Sequence, residues 1–180
     1  MLPHHELKVY SKDVPPPAEA AKMFAHQLAG TASLLAPDRE HLDTPHDDCQ
    51  FTLICAVAPG GRVLGGVYLE IVAMGGAGPL ADKKLAYLER TLVRPKYRRR
   101  GVGTILLRRA IQVASEAGCE YIRCSNNWDN VAETALFRRC GFALVDLDGE
   151  VDAEPCYLAV RPLHNLPDSV RGSSQLAPQE

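Results

Sequence analysis

Nowhere in this chain do two cysteines stand two residues apart. Its six cysteines (Cys49, Cys55, Cys119, Cys124, Cys140 and Cys156) form no tight group with histidine. That removes the usual zinc-ribbon and redox-dithiol patterns. Several of them lie inside apolar runs, where cysteine acts as a small hydrophobe, so reduced thiols in a cytoplasmic protein are expected. His4, His5, His26, His41, His46 and His164 lack metal-ligand spacing, and the acidic pair after His46 reads as loop, so no metal is expected. No run of 18 apolar residues occurs, which excludes a membrane-spanning helix. The opening residues lack the form of a secretory signal. An excess of positive charge is missing too: 20 Lys and Arg face 22 Asp and Glu, a formal net charge of -2. A general nucleic-acid binder carries the opposite balance. No internal repeat is evident.

What is present is a globular composition, 46% hydrophobic and 23% charged over 180 residues. This suits a single domain, expected over residues 1–162, followed by a tail (163–180) rich in Pro, Ser and Asn with little regular structure. "ELKVYSK" reads as a first strand, and "VPPP" breaks it. Ala20, Met23, Phe24 and Leu28 mark an amphipathic helix over Ala18–Leu28, with Gly30 as its stop. Between Thr31 and Asp48 at most one short helix is expected. Phe51–Ala58 and Val63–Val72 form a hairpin around "PGGR", and Gly65 and Gly66 signal a bulge or a close backbone approach. A glycine-rich loop follows Met74, and Leu85–Val93 is the next strand.

From Gly103 to Gly118 the period changes to that of a helix. Leu106, Ala110, Val113 and Ala117 make one stripe, with Leu107, Ile111 and Ala114 beside it. "EYIRCS" returns to strand. Asn130 then caps a helix with Glu133 as capping-box partner, and Gly141 ends it. "FALVDL" and "CYLAV" close the order. This succession predicts a mixed α/β domain with one central sheet.

Against this background "VRPKYRRRGVG" stands out: five of its eleven residues, Val93 to Gly103, are Lys or Arg. It joins a strand to a helix, so unpaired backbone N–H groups and the positive helix end converge there. Glycines at 101 and 103 let a phosphate reach the backbone, and the arginines add charge-assisted bonds. A Walker loop needs a lysine after the second glycine, and a dinucleotide fold needs a third glycine in an early βαβ unit; neither is present. No aromatic stacking pattern accompanies the arginines, which argues against single-stranded nucleic acid.

Arg98-x-x-Gly101-x-Gly103 resembles the phosphate-loop signature of the GNAT superfamily, the Gcn5-related N-acetyltransferases. "LVRPKYRRRGVGTILLRRAI" is similar to that family's fourth strand, loop and following helix. "NVAETALFRRCGF" is similar to its later helix, and the two together span roughly Leu85 to Val160. The resemblance implies a mostly antiparallel, splayed sheet flanked by helices, and acetyl-CoA as co-substrate. It implies that the amides of Arg99, Arg100, Gly101, Val102, Gly103 and Thr104 hold the pyrophosphate beside Arg98. Main-chain groups of Leu92 and Val93 would pair with the pantetheine arm. Asn130 would fix the pantetheine or phosphate end, and Phe137 would lie beside the thiol. It also allows for a homodimer.

Two departures bear on the chemistry. Many members carry tyrosine where Phe137 stands, and phenylalanine cannot protonate a leaving thiolate. Some relatives use a glutamate as base on the fourth strand, at the position of Tyr87. Glu89, two residues on, shares that face in a regular strand. Glu89 is therefore the first candidate base, with Tyr87 lining the site and Glu70 in reserve. Read blandly, Glu89 is a solvated strand carboxylate, and Trp128 is a capping-loop aromatic packed on the core. The leading expectation is an N-acetyltransferase acting on an amine by direct attack in a ternary complex, without nucleic acid or membrane as partner. The alternative is an acyl-CoA sensor that has lost catalysis. The acceptor, a small molecule or a peptide, stays open.

Overall fold

The computed structural model describes residues 5–25, 50–74, 83–127, 129–146 and 156–164. Seven strands make one sheet: β1 (Glu6–Tyr10), β2 (Gln50–Val57), β3 (Val63–Ala73), β4 (Lys84–Val93), β5 (Cys119–Asn127), β6 (Ala143–Asp146) and β7 (Cys156–Pro162). Three helices are described: α1 (Ala18–Met23), α2 (Val102–Glu116) and α3 (Val131–Arg139), with a single 3-10 turn over Pro95–Tyr97. The strands lie in the order β1-β2-β3-β4-β5-β7-β6. Every neighbouring pair is antiparallel except β4 with β5. The mixed, mostly antiparallel architecture expected from the sequence is the one found. Of the first expected helix, the portion from His26 on lies outside the described residues, as do the segment 31–48, the loop after Met74, Trp128 and the tail beyond His164.

Alternation along the strands sends apolar residues to both faces, and each face carries its own core. On one side Ile54, Val67, Leu69, Ala86, Leu88 and Ile122 pack beneath Leu106, Leu107, Ala110 and Ala114 of α2. The fully covered stripe of α2 thus runs through Leu106, Leu107, Ala110 and Ala114, while Val113 and Ala117 are only half-buried. The sheet faces the boundary between the two rows, and Ile111, Val113 and Ala117 pack at its margins. On the other side Ala20 and Phe24 of α1 cover Leu53, Cys55, Val57, Val63 and Tyr68.

Both strand glycines prove to be close approaches. A Cβ at Gly65 would sit 2.6 Å from the Leu92 carbonyl oxygen. One at Gly66 would sit 2.9 Å from both the Ile54 carbonyl oxygen and the Phe24 ring. A bulge does lie next to them: Ala56 pairs with Gly65 and Val57 with Val63, which leaves Leu64 extra. Glu19 fastens α1 at this end of the sheet. Its carboxylate accepts from the Val63 N–H at 2.9 Å and from the Arg94 guanidinium at 2.6 Å. At the other end of the domain Arg161 donates to the Cys140 carbonyl, satisfying an acceptor where α3 stops at Gly141 (φ 79).

Candidate active site

A second bulge shapes the site. Tyr68 pairs with Arg90 and Leu69 with Leu88, so Glu89 is the extra residue of β4. Bulges bend a strand and end its pairing. The parallel ladder between β4 and β5 runs from Lys84 opposite Cys119 to Tyr87 opposite Arg123 and goes no further. Beyond that pair the two strands part. Directly paired antiparallel residues share a face, so alternation resets at the bulge. Glu89 therefore does not simply follow Tyr87 on one face, as regular alternation would require. This corrects the premise on which the two were grouped.

The parted strands enclose a cleft of about 370 Å³, lined from β4 by Leu88, Glu89, Arg90, Thr91 and Leu92. Cys124, Ser125 and Asn126 of β5 form the facing wall, and Arg98, Asn130 and Glu133 complete it. The volume lies in the range of small-ligand sites. Tyr87 sits where the strands divide: its hydroxyl is 3.2 Å from the Ser125 hydroxyl, and the Arg123 guanidinium lies 5.2 Å from its ring centroid. Glu70 pairs with Tyr87 across β3 and β4 and does not line the cleft.

At one end of the cleft the loop turns into α2. Arg99 (φ 59) and Gly101 (φ 83) are left-handed, and no other non-glycine among the described residues has positive φ. Alternating handedness of this kind turns successive N–H groups toward one concavity. The first intrahelical bond is from Ile105 N–H to the Gly101 carbonyl, at 3.1 Å. Among the described residues, the N–H groups of Arg99 to Thr104 have no backbone acceptor. Arg98, Arg99 and Arg100 are exposed around them, and the Arg98 Nε bonds the Val93 carbonyl at 3.0 Å. Val102 is buried and anchors the turn. Gly103 faces Leu136 of α3, which a Cβ there would approach to 3.2 Å. The result is a cationic, donor-rich cup suited to phosphate.

The opposite wall is held by a side-chain network that only the tertiary structure reveals. Asn130 caps α3, its Oδ1 accepting from the Glu133 N–H at 3.3 Å. The Glu133 carboxylate answers through a different atom from the expected capping box. Its Oε2 accepts from the Asn130 side-chain amide at 2.6 Å and from that of Asn126, on β5, at 2.5 Å. Burial pushes the Glu133 carboxyl above its ordinary range, while the Asn126 bond and the charge of Arg90 pull the other way. Burial likewise pushes the Cys124 thiol up to about 12, with Glu133 and Glu89 adding to the effect. The Thr134 hydroxyl donates to the Asn130 carbonyl at 3.1 Å and stands 3.2 Å from the buried Tyr157 hydroxyl.

Phe137 is placed differently from the expectation. It is fully buried, its ring tilted against that of Phe142 at 5.1 Å and edge-on to that of Tyr157 at 6.5 Å between centroids, and it does not line the cleft. Without a hydroxyl to satisfy, its ring belongs to the apolar core. Leu92 reaches the cleft, and Val93 contributes through its carbonyl bond to Arg98. Cys124, Ser125, Asn126, Arg90 and Glu133 were not selected from the sequence as site residues. The capping spacing of Asn130 and Glu133 was the one signal pointing to any of them. Among the described residues no three His, Cys, Asp or Glu side chains converge as a metal site requires.

A strand thus parts from its parallel neighbour beside a glycine-bearing loop suited to phosphate. The acetyltransferase (GNAT) family model matches residues 25–142. The chain belongs to the GNAT family. Solved structures of similar fold include NAA60 of Arabidopsis thaliana in complex with a bisubstrate analogue (16% identity, 87% of this chain and 98% of that one, TM-score 0.57). Another is the ribosomal-protein-S18-alanine N-acetyltransferase of Escherichia coli (14% identity, 91% and 97%, TM-score 0.57). A third is a chain of the NatC complex bound to Gag peptide and CoA (14% identity, 88% and 99%, TM-score 0.58). No curated protein sequence matches this GNAT chain.

Proposed function

We propose that this GNAT protein transfers an acetyl group from acetyl-CoA to an amine, by direct attack on the thioester in a ternary complex. The observation that carries the reading is the cleft where β4 leaves β5 next to the cup of free amides at Arg99 to Thr104. The pyrophosphate is held by those amides and by the arginines at 98 to 100. Once β5 has departed, the main-chain groups of Thr91 to Val93 that point away from β3 need partners. The amide groups of a pantetheine arm supply them, as an added strand does. One of the N–H groups near Leu92 or Val93 serves the developing oxyanion, a contribution of about a hundredfold. Asn130 closes the arm from α3.

Glu89 is the base that receives the ammonium proton, directly or through a water, and Tyr87 shapes the narrow end of the site. Cys124 is not an acyl carrier: it lines the cleft, but burial, with two carboxylates adding to it, holds its thiol neutral. Holding both reactants in one cleft supplies much of the rate. The thiol state of Cys55, Cys119, Cys124 and Cys140 suits the reducing cytoplasm. The absence of a hydroxyl at Phe137 favours a second reading, an acyl-CoA sensor without turnover.

The test is acetyl-CoA titration by calorimetry, followed by thiol release over a panel of small amines and peptide N-termini. Saturable binding with turnover on any acceptor supports the enzyme. Binding without turnover leaves the sensor, and no binding overturns both. Intact mass after acetyl-CoA alone should show no acetyl adduct on Cys124.

A further inference from the structure

The core position of Phe137 leaves the leaving thiolate without the phenol that the family pattern offers. One helical turn toward the N-terminus, α3 presents Glu133 to the cleft. Its carboxylate is fastened from two sides, by Asn126 of β5 and by Asn130, the N-cap of α3, and both bonds go to Oε2. Among the described residues nothing donates to Oε1, so that oxygen is left for whatever fills the cleft. A glutamate immobilised through one oxygen, with the other presented to a substrate site, is a group placed for proton transfer.

We propose that Glu133 is the proton-carrying group of the acetyl transfer, a role that rests on the acetyltransferase reading above. The neutral amine attacks the thioester carbon and the C–N bond forms, leaving the nitrogen positively charged. Oε1 takes a proton from that nitrogen. As the carbonyl re-forms, the C–S bond breaks with its electron pair going to sulfur. Oε1–H then protonates the thiolate, and the carboxylate is restored with no net proton gained or lost. The other groups facing this position cannot do the same. Cys124 stays protonated, the guanidinium groups of Arg90 and Arg98 offer donors and no acceptor, and the Tyr157 hydroxyl is sealed in the core beside Thr134. Glu89, on the β4 wall, is engaged in the earlier step that frees the amine.

Glu133→Gln keeps the size and an oxygen to accept from both asparagines, but it cannot carry the proton. Its turnover should fall about 100-fold or more while its acetyl-CoA dissociation constant stays within about threefold. In Glu133→Ala, added formate should restore part of the turnover, which a merely structural loss would not permit. A readout independent of the acceptor is the carboxyl 13C signal absent from Glu133→Gln: it should shift when acetyl-CoA binds the wild type. Equal turnover by wild type and Glu133→Gln overturns this role alone. So does a loss expressed only in acetyl-CoA affinity, or a carboxyl signal indifferent to acetyl-CoA. A wild type that releases no thiol with any amine overturns the acetyltransferase reading and this role together.

Discussion

Helix α2 offers a matched pair of perturbations. Gly101 at its N-cap (φ 83) and Gly118 just past its end (φ 76) are both left-handed. Placing alanine in that conformation costs about 1–2 kcal/mol at either position. A Cβ at Gly118 meets nothing within 4 Å, so strain is its whole effect. Gly118→Ala should therefore lower the melting temperature by a few degrees, at about 2–4 °C per kcal/mol for a chain of this size, and Gly101→Ala, whose loop can rotate, by less. They should differ in binding. Alanine at 101 relieves its strain by rotating φ, which turns the neighbouring N–H groups out of the cup. Restoring the cup for a ligand then costs the same 1–2 kcal/mol, which raises the CoA dissociation constant about 5- to 30-fold. Gly118→Ala should bind CoA as the wild type does. Calorimetric titration of both variants with CoA, alongside their melts, reads the two effects separately. If Gly101→Ala binds as tightly as Gly118→Ala, the loop is not the phosphate site. If both weaken equally, helix stability rather than loop geometry governs affinity.

Two further outcomes are expected. Gly66→Ala should cost about 1–3 kcal/mol in a denaturant titration, because its Cβ overlaps both the Ile54 carbonyl and the Phe24 ring. Shortening the ring with Phe24→Leu in that background should recover part of the loss, and an unchanged midpoint in Gly66→Ala would refute the close approach. The raised Glu133 carboxyl predicts a pH signature. A carboxyl whose folded pKa lies above its unfolded one binds more protons when folded, so its contribution to stability falls as pH rises through that interval. The stability of Glu133→Gln relative to wild type should therefore increase from below pH about 4.5 toward neutrality, as read from denaturation midpoints. A constant or decreasing difference would show that the carboxyl is not desolvated in the folded state.

Local chemistry accounts for what could be read in advance. The α2 segment shows its period because every third or fourth residue must meet the sheet, and the loop before it shows itself because Gly101 needs positive φ. The cap at Asn130 and the stop at Gly141 are likewise statements about single backbone positions. Those signals were enough to reach the fold and the family. They did not say how deeply each apolar row of α2 is covered, because that depends on how the helix rolls on a twisted sheet rather than on its own period.

The amino-acid order by itself determined the elements, the glycine-bearing strand-to-helix loop and the family resemblance that this pattern carries. All of these depend on residues within a few positions of one another. Only the tertiary structure decided the rest. The bulge at Glu89 arises from register between β3 and β4, and the opening of the cleft from β4 and β5 losing contact after Tyr87 and Arg123. Phe137 went to the core because Phe142 and Tyr157 close over it. Glu133 became a cleft carboxyl because Asn126, from another strand, holds one of its oxygens. Strand register and side-chain convergence are properties of pairs distant in the chain, and no local periodicity encodes them.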